Sequence, residues 1–151
     1  MRFGDCAFRR RLIGVDLSSR MLAKARGRGV YDELVKDELM AYMSRHPDSF
    51  DVIVSGDTLV YFGPLESVLS LAFRALRLDG LLVFTIEETP DEGLENGFRI
   101  HPHGRYSHGR LYVRQAMSAA GFVVLAVEAV HLRMEAGSSV SGLVVTGRKP
   151  R

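Results

Sequence analysis

Arg11-Leu-Ile-Gly-Val-Asp16-Leu-Ser-Ser-Arg-Met-Leu22 is a short apolar run that ends on a carboxylate and passes straight into helix-start chemistry. Leu12 to Leu17 predicts a strand. Ser18 predicts the N-cap of a helix from Ser19 to about Arg26, which Gly27 or Gly29 can close in a left-handed conformation. In an open, doubly wound sheet, ligands bind beyond the carboxyl ends of the strands, where an acid can accept both hydrogen bonds of a ribose diol. Asp16 is therefore a candidate ligand for a nucleotide's ribose. The glycine-rich turn that accompanies such a site is expected about twenty residues earlier. Only ten residues precede Arg11, so that turn is expected to be missing from this chain.

Outward from this stretch, apolar runs alternate with helical patterns, as in strand-helix-strand units with a largely parallel sheet. Glu33 to Val35 predicts a weak second strand. Phe50 to Ser55 has the continuous apolar character of a buried strand, and Leu81 to Ile86 predicts another. Phe122 to Leu132 and Val140 to Thr146 predict an antiparallel hairpin around Gly137. Leu39 to Arg45 predicts a short helix. Pro64 suits a first helical position, with Leu65, Val68, Leu69, Ala72 and Leu76 at helical spacing until Gly80. Ser107 is the expected cap of a last helix whose apolar side is Leu111, Ala116, Met117 and Ala120. Glu87 to Arg105 is too long for a simple connection and predicts a functional or mobile loop.

A chain of 151 residues, 46% hydrophobic and 25% charged, suits one soluble domain. Its 20 basic and 18 acidic residues are too evenly balanced to imply a polyanionic partner, and Arg9-Arg10-Arg11 is the one basic run. No nucleic-acid partner is expected. Cys6 is the only cysteine, which excludes an intrachain disulfide and a cysteine zinc cluster within one chain. It also points to a reducing, cytoplasmic setting. No apolar run approaches the ~20 residues of a membrane span, and the first eleven residues lack the apolar core of a secretory signal.

The order of these elements resembles class I S-adenosylmethionine-dependent methyltransferases, from their second strand to the closing hairpin. A closer likeness is to the tetratricopeptide-repeat-associated methyltransferases, whose long loop resembles Phe98-Arg-Ile-His-Pro-His-Gly-Arg-Tyr-Ser-His108. The resemblance implies an α/β fold: a Rossmann-like methyltransferase sheet with helices on both faces and a C-terminal antiparallel hairpin. It also implies that residues 1–151 form one domain that is N-terminally incomplete, with the first strand and its glycine-rich cofactor loop missing and Phe3–Phe8 the end of the helix after that loop. In the family that strand lies between those matching Leu12–Leu17 and Phe50–Ser55. Its loss predicts two unpaired apolar edges, closed up locally or completed by dimerisation or segment exchange.

The resemblance further implies S-adenosylmethionine as cofactor. Asp16, with Leu17 beside it, matches the ribose position, Asp37 and Glu38 match the adenine position, and Ser55, Gly56 and Asp57 match the wall of the cofactor and substrate pocket. Each acid also has a local role available, Asp16 at a helix start worth ~0.3–1 kcal/mol and Asp57 in a turn. Tyr61 and Phe62 are candidates to wall the same pocket. His101, His108 and Tyr106 are the catalytic candidates, on a loop that with Arg105 would cover the acceptor and supply a general base near neutral pH. His101, His103 and His108 lack the helical spacing or cysteine support of a metal site, so no metal is expected. The expected activity is methyl transfer to an unidentified small-molecule acceptor. The alternative is a non-catalytic domain acting through oligomerisation or partner binding.

Overall fold

Ile13–Asp16 (β1) and Glu33–Lys36 (β2) pair in parallel, with Asp16 opposite Lys36. The computed structural model describes residues 11–151, grouped into two units divided between Arg45 and His46. The expected helix end at Phe3–Phe8 lies outside the described residues. In the first unit, Ser19–Gly27 (α1) crosses between the two strands, and Ser18 Oγ accepts the Met21 N–H at 3.3 Å as the sequence predicts. Gly29, at φ +65°, turns the chain back toward β2. Leu39–Ser44 (α2) is capped by Glu38, and Leu22, Tyr42 and Met43 are buried.

The second unit is built on one long strand. Phe50–Ser55 (β3) pairs in parallel with Leu76–Thr89 (β4), and Ser138–Arg148 (β8) pairs antiparallel along the other edge of β4. Val123–Glu135 (β7) then pairs antiparallel with β8. Beyond β3, Tyr106–Gly109 (β6) continues along the same edge of β4, and Phe98–Ile100 (β5) pairs with β6. Glu66–Ala75 (α3) and Arg110–Ala119 (α4) pack against each other, α3 also touching β4 and α4 also touching β7. Phe84, Ile86, Leu143, Val145, Val113 and Met117 are fully buried between these layers.

Several expectations are corrected. Phe50–Ser55 is a strand but not a buried one: among the described residues it pairs with β4 alone, and Val52 and Val54 are 52% and 62% exposed. The helix expected from Pro64 through Leu76 starts at Glu66 and stops at Ala75. Leu76 instead opens β4 and pairs with Phe50, and a register shift between Phe50 and Val52 absorbs the extra length. Backbone bonds between Asp79 and Lys149 and between Lys149 and Gly80 tie this stretch to the sheet, so long-range pairing overrides helical spacing. Ser107 is not a helix cap: it lies buried in β6 opposite Glu87. Gly109 is the N-cap of α4, and Asp91 Oδ1 takes the Leu111 N–H at 3.0 Å, in the space that a β-carbon on Gly109 would need. The segment from Glu87 to Arg105 is not all loop, because β4 runs to Thr89 and β5 sits within it. The hairpin turn is tighter than its sequence suggests. Ala136 (φ +48°) and Gly137 (φ +79°) alone join β7 to β8, the backbone signature of a type I′ turn. Among the described residues no helix is long and apolar enough to cross a membrane.

Candidate functional site

At the carboxyl end of β1, Asp16 Oδ1 accepts the Ser18 N–H at 2.7 Å, while Oδ2 makes no hydrogen bond among the described residues. Leu17 beside it is 64% exposed. At the carboxyl end of β2, Glu38 is fully engaged, Oε1 accepting the Met40 N–H at 2.9 Å and Oε2 the Ala41 N–H at 2.8 Å. Asp37 accepts the Glu38 N–H at 2.8 Å on Oδ1 and pairs with Arg45 through Oδ2. Of these three acids, Asp16 alone presents an uncommitted oxygen.

In the second unit, Ser55 closes β3, and Gly56 and Asp57 follow. Asp57 sits at φ +55°, a left-handed conformation in which aspartate and asparagine are enriched. Its N–H donates to Thr85 Oγ1 at 2.9 Å, and its Oδ1 accepts from Arg133 Nη1 at 2.8 Å. Gly56, Asp57, Thr85, Leu132 and Arg133 line an open hollow of about 240 Å³. Ser55, the last residue of β3, pairs with Phe84 within β4, so the hollow lies at the carboxyl end of β3, where open sheets bind their ligands.

Sequence reasoning missed the ionic cluster behind that hollow. Arg133 pairs with Asp57, with the buried Glu87 through Nη2 and with Glu135 through Nε at 3.2 Å. Arg105 pairs with Glu135 through Nη2, and its Nε lies 3.2 Å from Glu87 Oε1 without hydrogen-bond geometry. Arg105, then Arg133, donate hydrogen bonds that hold the Glu135 carboxyl below its usual range. Three carboxylates against two guanidiniums leave one net negative charge. The sequence signal was the two-residue period of Arg133-Met-Glu135, which points both charged side chains to one face of β7. Their partners on β4 and the loop are visible only in three dimensions.

The loop candidates separate. His101 is part-exposed, with Nε2 2.7 Å from Ser107 Oγ and its ring stacked on His103 at 5.3 Å. Tyr106 packs edge-on to Phe98 at 5.8 Å. His108 is completely buried, its Nε2 2.9 Å from the Gly63 carbonyl and its ring stacked on Tyr112. Burial outweighs the Gly63 and Phe62 carbonyls and holds the His108 pKa below the ordinary histidine value. Burial likewise pushes the Tyr112 hydroxyl up to about 12, and that hydroxyl donates to Glu66 Oε1 at 3.0 Å. Of the two expected pocket walls, Tyr61 is 63% exposed, and Phe62 closes the helical turn Leu59–Tyr61, its N–H donating to the Leu59 carbonyl. Among the described residues, no group of three or more His, Cys, Asp or Glu side chains is placed to hold a metal ion.

The pattern of the methyltransferase domain family matches residues 3–84. No curated protein matches the sequence. Among solved structures, a SAM-dependent methyltransferase from Methanosarcina mazei aligns with a TM-score of 0.69 at 17% identity, over 91% of this chain and 81% of that one. An S-adenosylmethionine-dependent methyltransferase from Mesorhizobium loti aligns at 0.63 and 22% identity, over 91% and 80%. The 1,6-didemethyltoxoflavin-N1-methyltransferase of Burkholderia thailandensis, solved with 1,6-didemethyltoxoflavin and S-adenosylhomocysteine bound, aligns at 0.72 and 19% identity, over 93% and 62%. At these identities the likeness establishes the fold.

Proposed function

The chain belongs to the methyltransferase domain family, and from that premise we propose that it transfers the methyl group of S-adenosylmethionine to a small-molecule acceptor. Asp16 carries the reading. Its Oδ1 is pinned by the Ser18 amide and its Oδ2 has no hydrogen-bond partner among the described residues, so a carboxylate of fixed orientation stands at a strand end with acceptor capacity for a ribose diol. This donor set fits the cofactor's ribose. Adenine contact after β2 is assigned to Asp37, whose Oδ2 is held only by the exposed Arg45 side chain, rather than to Glu38, whose two oxygens cap α2 through backbone amides. Ser55, Gly56 and Asp57 are assigned to the reacting end.

S-adenosylmethionine supplies, when bound, a methyl group already activated on a sulfonium. The work left to the protein is to align the acceptor atom and exclude water. Thr85 fixes the Asp57 backbone through its N–H, and Arg133 fixes the Asp57 side chain. Among the loop candidates, His101 is assigned to the acceptor's proton because its ring is part-exposed. Tyr106 and Arg105 shape the loop around it, and His108 positions it from the core. A small-molecule acceptor is supported by the 1,6-didemethyltoxoflavin held by the Burkholderia relative. A cytoplasmic setting is supported by the lone Cys6.

Calorimetric titration of the folded chain with S-adenosylmethionine and S-adenosylhomocysteine tests the reading. Both are expected to bind, and Asp16→Ala is expected to weaken both by roughly 10–100-fold, the loss of two hydrogen bonds to a charged acceptor. Unchanged affinity in Asp16→Ala removes the ribose assignment. A folded chain that binds neither ligand removes the proposed cofactor.

A further inference from the structure

We infer that Asp57, positioned by Arg133, distinguishes the methyl donor from its demethylated product by charge. The inference rests on the cofactor reading above. Asp57 rims the hollow at the carboxyl end of β3, with Oδ1 on Arg133 and Oδ2 without a hydrogen-bond partner among the described residues. Arg133 does not neutralise it, because that one guanidinium is shared with Glu87 and Glu135. The Thr85 contact and the left-handed backbone at φ +55° keep the carboxylate at the rim. Arg133 lines the hollow beside Asp57 and the apolar Leu132, and the three carboxylates that share Arg133 and Arg105 leave this wall one net negative charge, with Asp57 the carboxylate at the rim and paired to one guanidinium only.

The chemistry makes such a charge selective. On transfer, the acceptor's lone pair forms the bond to the methyl carbon and the carbon–sulfur electron pair returns to sulfur. The cation becomes a neutral thioether, and the acceptor's proton leaves to water or a loop base. A carboxylate a few ångströms away attracts the first species and not the second. Asp57 therefore favours donor binding and product release, a specificity role and not a bond-making one.

The test is the ratio of two affinities, measured calorimetrically for S-adenosylmethionine and S-adenosylhomocysteine on wild type, Asp57→Asn and Asp51→Asn. Asparagine accepts the left-handed backbone and keeps an oxygen for Arg133, and the Asp57 side chain is 60% exposed, so the variant folds. Asp57→Asn is expected to weaken S-adenosylmethionine roughly 5-fold, as loss of one partly screened charge implies, and S-adenosylhomocysteine by less than half of that. Asp51→Asn removes the same charge near the opposite end of β3 and should leave the ratio unchanged. Equal weakening of both ligands, or no change, overturns the inference while the cofactor reading stands. Binding of neither ligand to the folded wild type overturns the cofactor reading and this inference with it.

Discussion

His108 lies fully buried among Phe98, Tyr112 and the Gly63 carbonyl. Nε2 donates to that carbonyl, which leaves Nδ1 as a bare acceptor with no hydrogen-bond partner among the described residues, and burial depresses its pKa. The fold therefore favours neutral imidazole. Protonation would create a second N–H donor with nowhere to point. The unfolded chain takes up its proton near pH 6.5, so this contribution is complete above that pH. It is lost as pH falls from 6.5 toward the lower folded pKa, at up to ~1.4 kcal/mol per pH unit. We expect the melting temperature to drop between pH 7.5 and 5.5 and the drop to shrink in His108→Gln, whose amide can replace the Nε2 donor. Thermal melts of both proteins at several pH values check it; equal slopes would rule it out. His108 was legible in the sequence as one histidine among three on a loop. Its burial was not, because that depends on β6 lying against β4.

At the scale of elements, the β7–β8 hairpin shows local and long-range signals agreeing. Both strands read as apolar runs, Gly137 marks the turn, and the observed connection is Ala136-Gly137. The weak point is Ala136, an alanine at φ +48°, where a β-carbon costs ~1–2 kcal/mol. Ala136→Asn should stabilise the protein by about 0.5–1 kcal/mol, since Asn-Gly is the preferred type I′ pair. Chemical denaturation is the measurement, and a midpoint that fails to rise would contradict the turn assignment. The boundary between α3 and β4 shows the reverse case. Leu76 continues the apolar spacing of α3, yet it is a strand residue because Phe50 offers it a partner. Nothing within ten residues of Leu76 carries that information.

At the scale of the molecule, the edge of β3 remains open. Among the described residues β3 pairs with β4 alone, and Val52 and Val54 are 52% and 62% exposed. Apolar strands with a free edge pair with other chains. Light scattering is expected to give about twice the 16.8 kDa chain mass, and Val54→Lys is expected to return the monomer by charging that edge. A monodisperse wild-type monomer would exclude pairing along β3.

The sequence by itself determined what depends on neighbours along the chain. The strand ending in Asp16, its Ser18 cap, the short helix after β2, the existence of β3 though not its exposure, and the closing hairpin could all be read from it, because alternation, caps and turn residues act over a few positions. The ribose candidate was legible for the same reason, since strand, acid and cap are contiguous. Tertiary structure alone decided the rest. It withdrew Glu38 to cap α2, turned Ser107 from a cap into a buried strand residue and drew Arg105, Arg133, Glu87 and Glu135 into one cluster beside Asp57. The outermost of these residues, Asp57 and Glu135, lie 78 positions apart in the chain. Ion pairing acts through space, so only the folded sheet can say which charges meet and where one net negative charge is left.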